Sequence, residues 1–181
     1  MIALSIKQPW AELLVAGHKT IEIRTRWPRR PNLPLPVLVA IHAGKTWDDA
    51  APKFVSHPGD AYLYARQSYH RRGGIIGVAR FLGRIHFSTR EMGPAEAERA
   101  RAWWESLADQ HLNPLESWTD NLVGLRFDNP VRFPHVIPCR GGGSGRLGFF
   151  GLAEDVAELV VTAMSGGRSN GSSSEVQAYL I

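Results

Sequence analysis

LSIKQPWAELLVAGHKTIEIRTR, residues 4–26, changes its periodicity twice and so announces a strand, a helix and a second strand. Pro9 suits the first turn of a helix, where its missing N–H has no partner to lose, and Gln8 before it stands at the cap. Trp10, Leu13 and Leu14 follow at helical spacing on one face, and Gly17 can take the left-handed conformation that ends a helix of about two turns. From Thr20 the period becomes two. Ile21 and Ile23 point one way, and Thr20, Glu22, Arg24 and Arg26 the other. Folding the strand, helix and strand together brings Lys7, Lys19, Glu22 and Arg24 towards one surface. Two readings stay open: a ligand-binding face, or a solvated strand face whose Glu22–Arg24 ion pair stabilises little.

The remaining chain has the length to support that unit. At 181 residues it fits one domain with a sizeable core. No run approaches the roughly 18 apolar residues of a membrane span, and the N-terminus lacks the basic start and apolar stretch of a signal peptide. The expectation is a cytoplasmic protein with no membrane partner, and the single Cys139 agrees with a reducing compartment. The net charge of +4 and pI of about 9.6 make the chain basic, and arginine far outnumbers lysine. Arg24, Arg26, Arg29 and Arg30 lie close together, Arg71 and Arg72 are adjacent, and Arg140 and Arg146 bracket a glycine run. Guanidinium groups pair bidentately with phosphate and stack on bases, which points to a polyanionic partner. Arginine usage that merely follows a GC-rich genome is the competing reading.

Outward from the opening unit, residues 27–36 (WPRRPNLPLP) hold four prolines and read as an extended loop. Residues 37–43 (VLVAIHA) read as a buried strand, with His42 as a hydrogen-bonded core group. A helix is expected from Thr46 or Trp47 to about Phe54. Tyr62, Tyr64, Arg66, Tyr69, His70, Arg71 and Arg72 are residue types that stack on bases and hold phosphates, or an ordinary amphipathic surface. Residues 75–87 read as one long or two short strands bent at Gly77 and Gly83. Residues 94–112 form the clearest helix, with Ala100, Trp103, Trp104 and Leu107 as its apolar stripe. Residues 122–127 and 130–137 read as two further strands. Phe149 and Phe150 close the sheet, and residues 153–164 make a terminal helix. The expected domain spans 1–164, followed by a low-complexity, flexible tail over 165–181. No metal-ligand spacing, P-loop, nucleophile elbow or dinucleotide fingerprint occurs.

The string at residues 5–26 resembles the opening motif of the ASCH domain family. Its pattern G-x-K-x-x-E-x-R falls on Gly17, Lys19, Glu22 and Arg24. Later pieces follow in similar order: IHAGK at 41–45, IIGVARFLGRI at 75–85, PVRFPHVIPCRG at 130–141 and LGFFGL at 147–152. The resemblance covers about residues 2–160. It implies an α+β chain with a PUA-like fold, a small, mixed, largely antiparallel β-barrel with helices covering its openings. It also implies a ligand cleft beside the first helix. Family members include nucleic-acid binders, a bacterial metal-dependent ribonuclease, and small amidohydrolases that deacetylate acetylcytidine with a lysine, a threonine and a glutamate. This chain matches the lysine with Lys19 but carries Glu22 at the threonine position.

The leading expectation is therefore an ASCH domain that binds RNA, or single-stranded or modified nucleic acid. Lys7, Lys19, Arg24 and Arg26 would meet phosphate, Glu22 would accept hydrogen bonds from a base edge, and Trp10 or Trp27 would stack. Gln8 and Lys45 complete the binding set. The alternative is a hydrolase of the same fold, a ribonuclease or a nucleoside amidohydrolase, in which Lys19 is the proton acceptor or nucleophile and Glu22 its partner. No cofactor is expected, except a divalent metal if the chain is a ribonuclease. A third expectation is a protein-interaction module that exposes Trp103 and Trp104.

Overall fold

The computed structural model describes residues 1–25, 34–49, 51, 68–86, 88–90, 92–107, 122–139 and 148–166. Six strands, β1 (Ile2–Gln8), β2 (Ile21–Arg24), β3 (Val37–Trp47), β4 (Gly74–His86), β5 (Val123–Pro138) and β6 (Phe149–Gly151), form one sheet. Its order is β2-β5-β4-β3-β1-β6. Among the described residues only the β1–β3 pair is parallel. Three helices accompany it: α1 (Trp10–Val15), α2 (Pro94–Glu105) and α3 (Glu154–Gly166). No helix among the described residues is long and apolar enough to cross a membrane.

Strand alternation sorts the core into two faces. Leu4, Ile6, Val39, Ile41 and Ala43 turn towards α1, with Phe81, Leu125 and Phe127. Ala3, Ala40, Ile75, Val78 and Phe133 turn the other way, against Val156 and Val160 of α3. Gly77 allows α1 to lie close, since a Cβ there would come within 2.8 Å of Val15 Cγ1. A third cluster seats Trp104 of α2 against Ile23, Ile85 and Leu122.

The expected barrel is met only in part. The sheet is mixed and largely antiparallel, but it is not closed, because among the described residues no ladder joins β2 to the β1–β6 end. It is nevertheless rolled. Four strand spacings separate β2 from β1 in the order, about 19 Å if the sheet were flat. Yet Arg24 Nη2 donates to the Ser5 carbonyl at 2.7 Å. Phe81 of β4 likewise meets Phe149 of β6, three strands away in the order, with ring centroids 5.3 Å apart. A side chain spans the gap that a backbone ladder would have closed.

Other expectations change for physical reasons. The helix expected from residue 46 does not start there: β3 runs on to Trp47, paired to Gln8 of β1. The two strands expected over 122–137 are one, β5, which carries Pro130 and Pro134 where its pairing with β4 shifts register or ends a ladder segment. β4 is likewise one strand, and Gly83, at φ +121°, sits at one of its register shifts. The tryptophan pair is divided, with Trp104 fully buried and Trp103 47% exposed, so half of the expected aromatic patch is core. Arg26, the proline loop with Trp27, Arg29 and Arg30, the Tyr62–Tyr64–Arg66 segment, the glycine run between Arg140 and Arg146, and residues 167–181 lie outside the described residues.

Candidate nucleic-acid interface

Helix α1 is six residues long, and every one of them is buried, including Glu12. So short a helix has little stability of its own and is held by its surroundings. Pro9 takes the cap position expected of Gln8 and the helix starts at Trp10, but the Gln8 side chain still closes its first turn: Oε1 accepts the Glu12 N–H at 3.0 Å, and Nε2 donates to the Arg71 carbonyl at 2.7 Å. Gln8 is fully buried, with both ends of its amide in use. Glu12 then receives two guanidinium groups, Arg71 Nε at 3.0 Å on Oε2 and Arg132 Nε on Oε1. Arg71 also donates to the carbonyls of Ile76, Phe133 and Pro134. The sequence reading missed this triad. A lone acid in an otherwise apolar six-residue helix was the available signal, because such a group must be paired once buried.

After Gly17, at φ +83°, the chain turns into β2 and carries Lys19, Glu22 and Arg24 back under α1. Lys19 Nζ lies 3.5 Å from Glu22 Oε2, and Arg24 Nε lies 3.2 Å from Glu22 Oε1. The side chains of these residues are 0%, 7% and 15% exposed in the order Lys19, Glu22, Arg24. The solvated strand face is thereby excluded: this is a desolvated charge array. Trp10 roofs it, with Lys19 Nζ 5.5 Å from the ring centroid. The indole N–H donates to Asp48 Oδ2 at 2.9 Å, and the Asp48 N–H donates to the Gln8 carbonyl at 2.7 Å.

The electrostatics follow from burial. Desolvation lowers the Lys19 pKa from 10.5 to about 8, against the opposing pull of Glu22 and with a smaller lowering push from Arg24. The ion pairs are loose: among the described residues, neither Glu22 Oε2 nor Arg24 Nε completes a hydrogen bond. Behind the array, Ser5 Oγ and His42 Nδ1 are 3.0 Å apart, and His42 sits edge-on to Phe150. Burial first, and Lys45 second, push the His42 pKa below its ordinary value, as suits the core histidine expected there.

The other predicted residues are dispersed. Lys7 and Lys45 are exposed on the outer surface, whereas Trp10 is only 5% exposed and forms a wall rather than an open stacking face. No group of three or more His, Cys, Asp or Glu side chains that could hold a metal occurs among the described residues. The two carboxylates beside α1 each face two cationic side chains, whose charge disfavours a divalent cation there.

The family model for the ASCH domain matches residues 4–115, which include this whole array. Among solved structures, the chain is similar to ASCH from Zymomonas mobilis, with a TM-score of 0.53 at 13% identity, covering 89% of this chain and 93% of that one. A tyrosine-to-phenylalanine mutant of the Zymomonas mobilis protein matches with a TM-score of 0.52 at 14% identity, covering 89% of this chain and 96% of that one. A serine-to-alanine mutant of it matches with a TM-score of 0.52 at 13% identity, covering 89% and 94%. A search of curated proteins finds no match. At such identities the likeness speaks for the fold, and the family model, which spans more than half of the sequence, decides the membership: the chain belongs to the ASCH domain family.

Proposed function

We propose that this ASCH domain binds RNA, or single-stranded or modified nucleic acid, by taking a base edge at Lys19, Glu22 and Arg24. The observation that carries the reading is the desolvated, incompletely bonded array under Trp10. Buried polar groups are ordinarily hydrogen-bonded, and unspent capacity in a buried carboxylate costs stability unless a ligand uses it. A base edge offers N–H donors to Glu22 Oε2 and acceptors to the guanidinium of Arg24. Arg24 is the most exposed of the set, and its guanidinium suits the adjoining phosphate. The rolled sheet supports reading the domain as a PUA-like barrel whose last gap Arg24 spans.

A second reading rests on one specific observation, the lowered Lys19 pKa of about 8. A lysine that is largely neutral just above that pH can accept a proton or attack a carbonyl, as a nucleoside amidohydrolase requires. The two readings predict opposite pH dependence. Binding that uses the Lys19 ammonium weakens as pH rises through about 8, whereas turnover that uses the neutral amine increases over the same interval. Titration of the purified protein with labelled single-stranded RNA from pH 7 to 9, with acetylcytidine deacetylation followed in parallel, separates them. Affinity that falls with pH, together with no turnover, supports the binding domain. Turnover that rises through pH 8 and is lost in Lys19→Met supports the enzyme. Absence of both overturns both.

A further inference from the structure

The wall position of Trp10 leaves the proposed base site without an open aromatic face, whereas an exposed one, Tyr69, stands near the start of α1, where Gln8 Nε2 donates to the carbonyl of nearby Arg71. The β1–β3 register slips between Ile6, opposite Ala43, and Gln8, opposite Trp47, so Gly44, Lys45 and Thr46 lie opposite Lys7 alone. This bulge raises Lys45 into solvent. Tyr69, in the short 3-10 turn Ser68–His70, packs against Trp47 with centroids 5.9 Å apart, and His70 meets its edge at 5.5 Å. The Arg72 guanidinium lies 4.3 Å from the Tyr69 ring centroid, and its Nη1 donates to the Lys45 carbonyl at 3.3 Å. Tyr69 remains 52% exposed.

We infer that Trp47, Tyr69 and Arg72, with Lys45 and Lys7, form a stacking track for the nucleotides next to the one held at Lys19–Glu22. This inference rests on the base-site reading above and names how the strand is carried beyond it. The two regions meet through Gln8, which pairs with Trp47, donates its Nε2 N–H to the Arg71 carbonyl and precedes the turn into α1 and Trp10. An exposed tyrosine packed on a half-buried tryptophan and backed by guanidinium suits bases of any identity, while the lysines and Arg72 suit the phosphates between them. Asp48 bounds the track on the Trp10 side, so the cationic groups favour a strand that leaves along β3 towards Lys45 and Arg72. Arg71 belongs to the Glu12 triad, so of the adjacent arginines only Arg72 serves the track.

The test is fluorescence anisotropy of the full chain with a labelled oligouridylate, alongside calorimetric titration with uridine monophosphate. Tyr69→Ala is expected to weaken the oligonucleotide about tenfold or more, as loss of one base–aromatic stack does. The loss falls mainly on the oligonucleotide, Tyr69→Phe restores it, and Arg72→Gln weakens the oligonucleotide and reduces its salt dependence. Lys19→Met is expected to weaken both ligands. Oligonucleotide affinity unchanged in both Tyr69→Ala and Arg72→Gln, with Lys19→Met impaired, overturns the track and leaves the base site standing. Loss in Tyr69→Ala with Lys19→Met unimpaired supports the track and overturns the base site. No oligonucleotide binding by the unaltered protein overturns both.

Discussion

Lys19 is held with no exposed side-chain surface and a pKa near 8, against 10.5 for a solvated lysine. Between those values the unfolded chain binds more protons than the folded one, so stability rises with pH across that window. Below about 8 the folded protein carries the full cost of a buried ammonium, on the order of 3 kcal/mol for such a shift. Urea unfolding of the unaltered protein and Lys19→Met at pH 7 and pH 10 isolates this contribution. The stability difference is expected to move in favour of the unaltered protein at the higher pH, and a flat difference would show that Lys19 is not desolvated. At this scale the site was largely legible. The period-two face of residues 20–24 placed Glu22 and Arg24 together, and the motif named Lys19. Burial was not legible, because the same alternation fits a wet strand face and a dry one. Gln8, placed among the binding residues, has both ends of its amide engaged with backbone groups.

Helix α1 shows how an element can depend on charges far away in sequence. Glu12 ties it to Arg71, just ahead of β4, and to Arg132 of β5. Breaking a buried ion pair by removing one partner leaves uncompensated charge and costs about 3–5 kcal/mol. Glu12→Gln is therefore expected to lose stability of that order, whereas Arg132→Met loses less, because the Arg132 side chain is already 31% exposed. Denaturant midpoints compare the two, and a Glu12→Gln protein as stable as the unaltered one would show that the triad does not hold the helix. The helix itself was readable from Pro9, the Trp10–Leu13–Leu14 spacing and Gly17. Its burial on all sides was not, since only one of its faces could be anticipated from apolar spacing. The continuation of β3 through Trp47 was hidden for a related reason. Thr46 followed by Asp48 and Asp49 has the local chemistry of a helix start, and pairing with Gln8 overrides it.

For the molecule as a whole, the contact between Arg24 and the Ser5 carbonyl joins the two ends of the rolled sheet. Arg24→Met removes that hydrogen bond and the partner of a buried carboxylate, and is expected to cost about 1–3 kcal/mol. Backbone amide exchange should locate the effect. Protection is expected to fall in Ile21–Arg24, which pairs on one side only with β5, while the central strand β4 keeps its protection. Equal loss throughout would mean that the bridge supports overall stability without closing the sheet locally. The same residue thus borders the proposed ligand site and spans the open seam, so ligand binding there should protect β2 in the unaltered protein.

Local chemistry determined the opening strand, helix and strand, the buried strand at 37–43, the tryptophan helix and the family. Each depends on spacing within a few residues, which is where propensity, capping and alternation act. Tertiary structure alone decided that the sheet rolls without closing, that Lys19 and Glu22 are dry, that Glu12 needs Arg71 and Arg132, and that Tyr69 comes to stand beside Trp47. Those outcomes depend on groups tens of residues apart meeting in space. Desolvation and long-range pairing are properties of the packed molecule, and no local pattern encodes them.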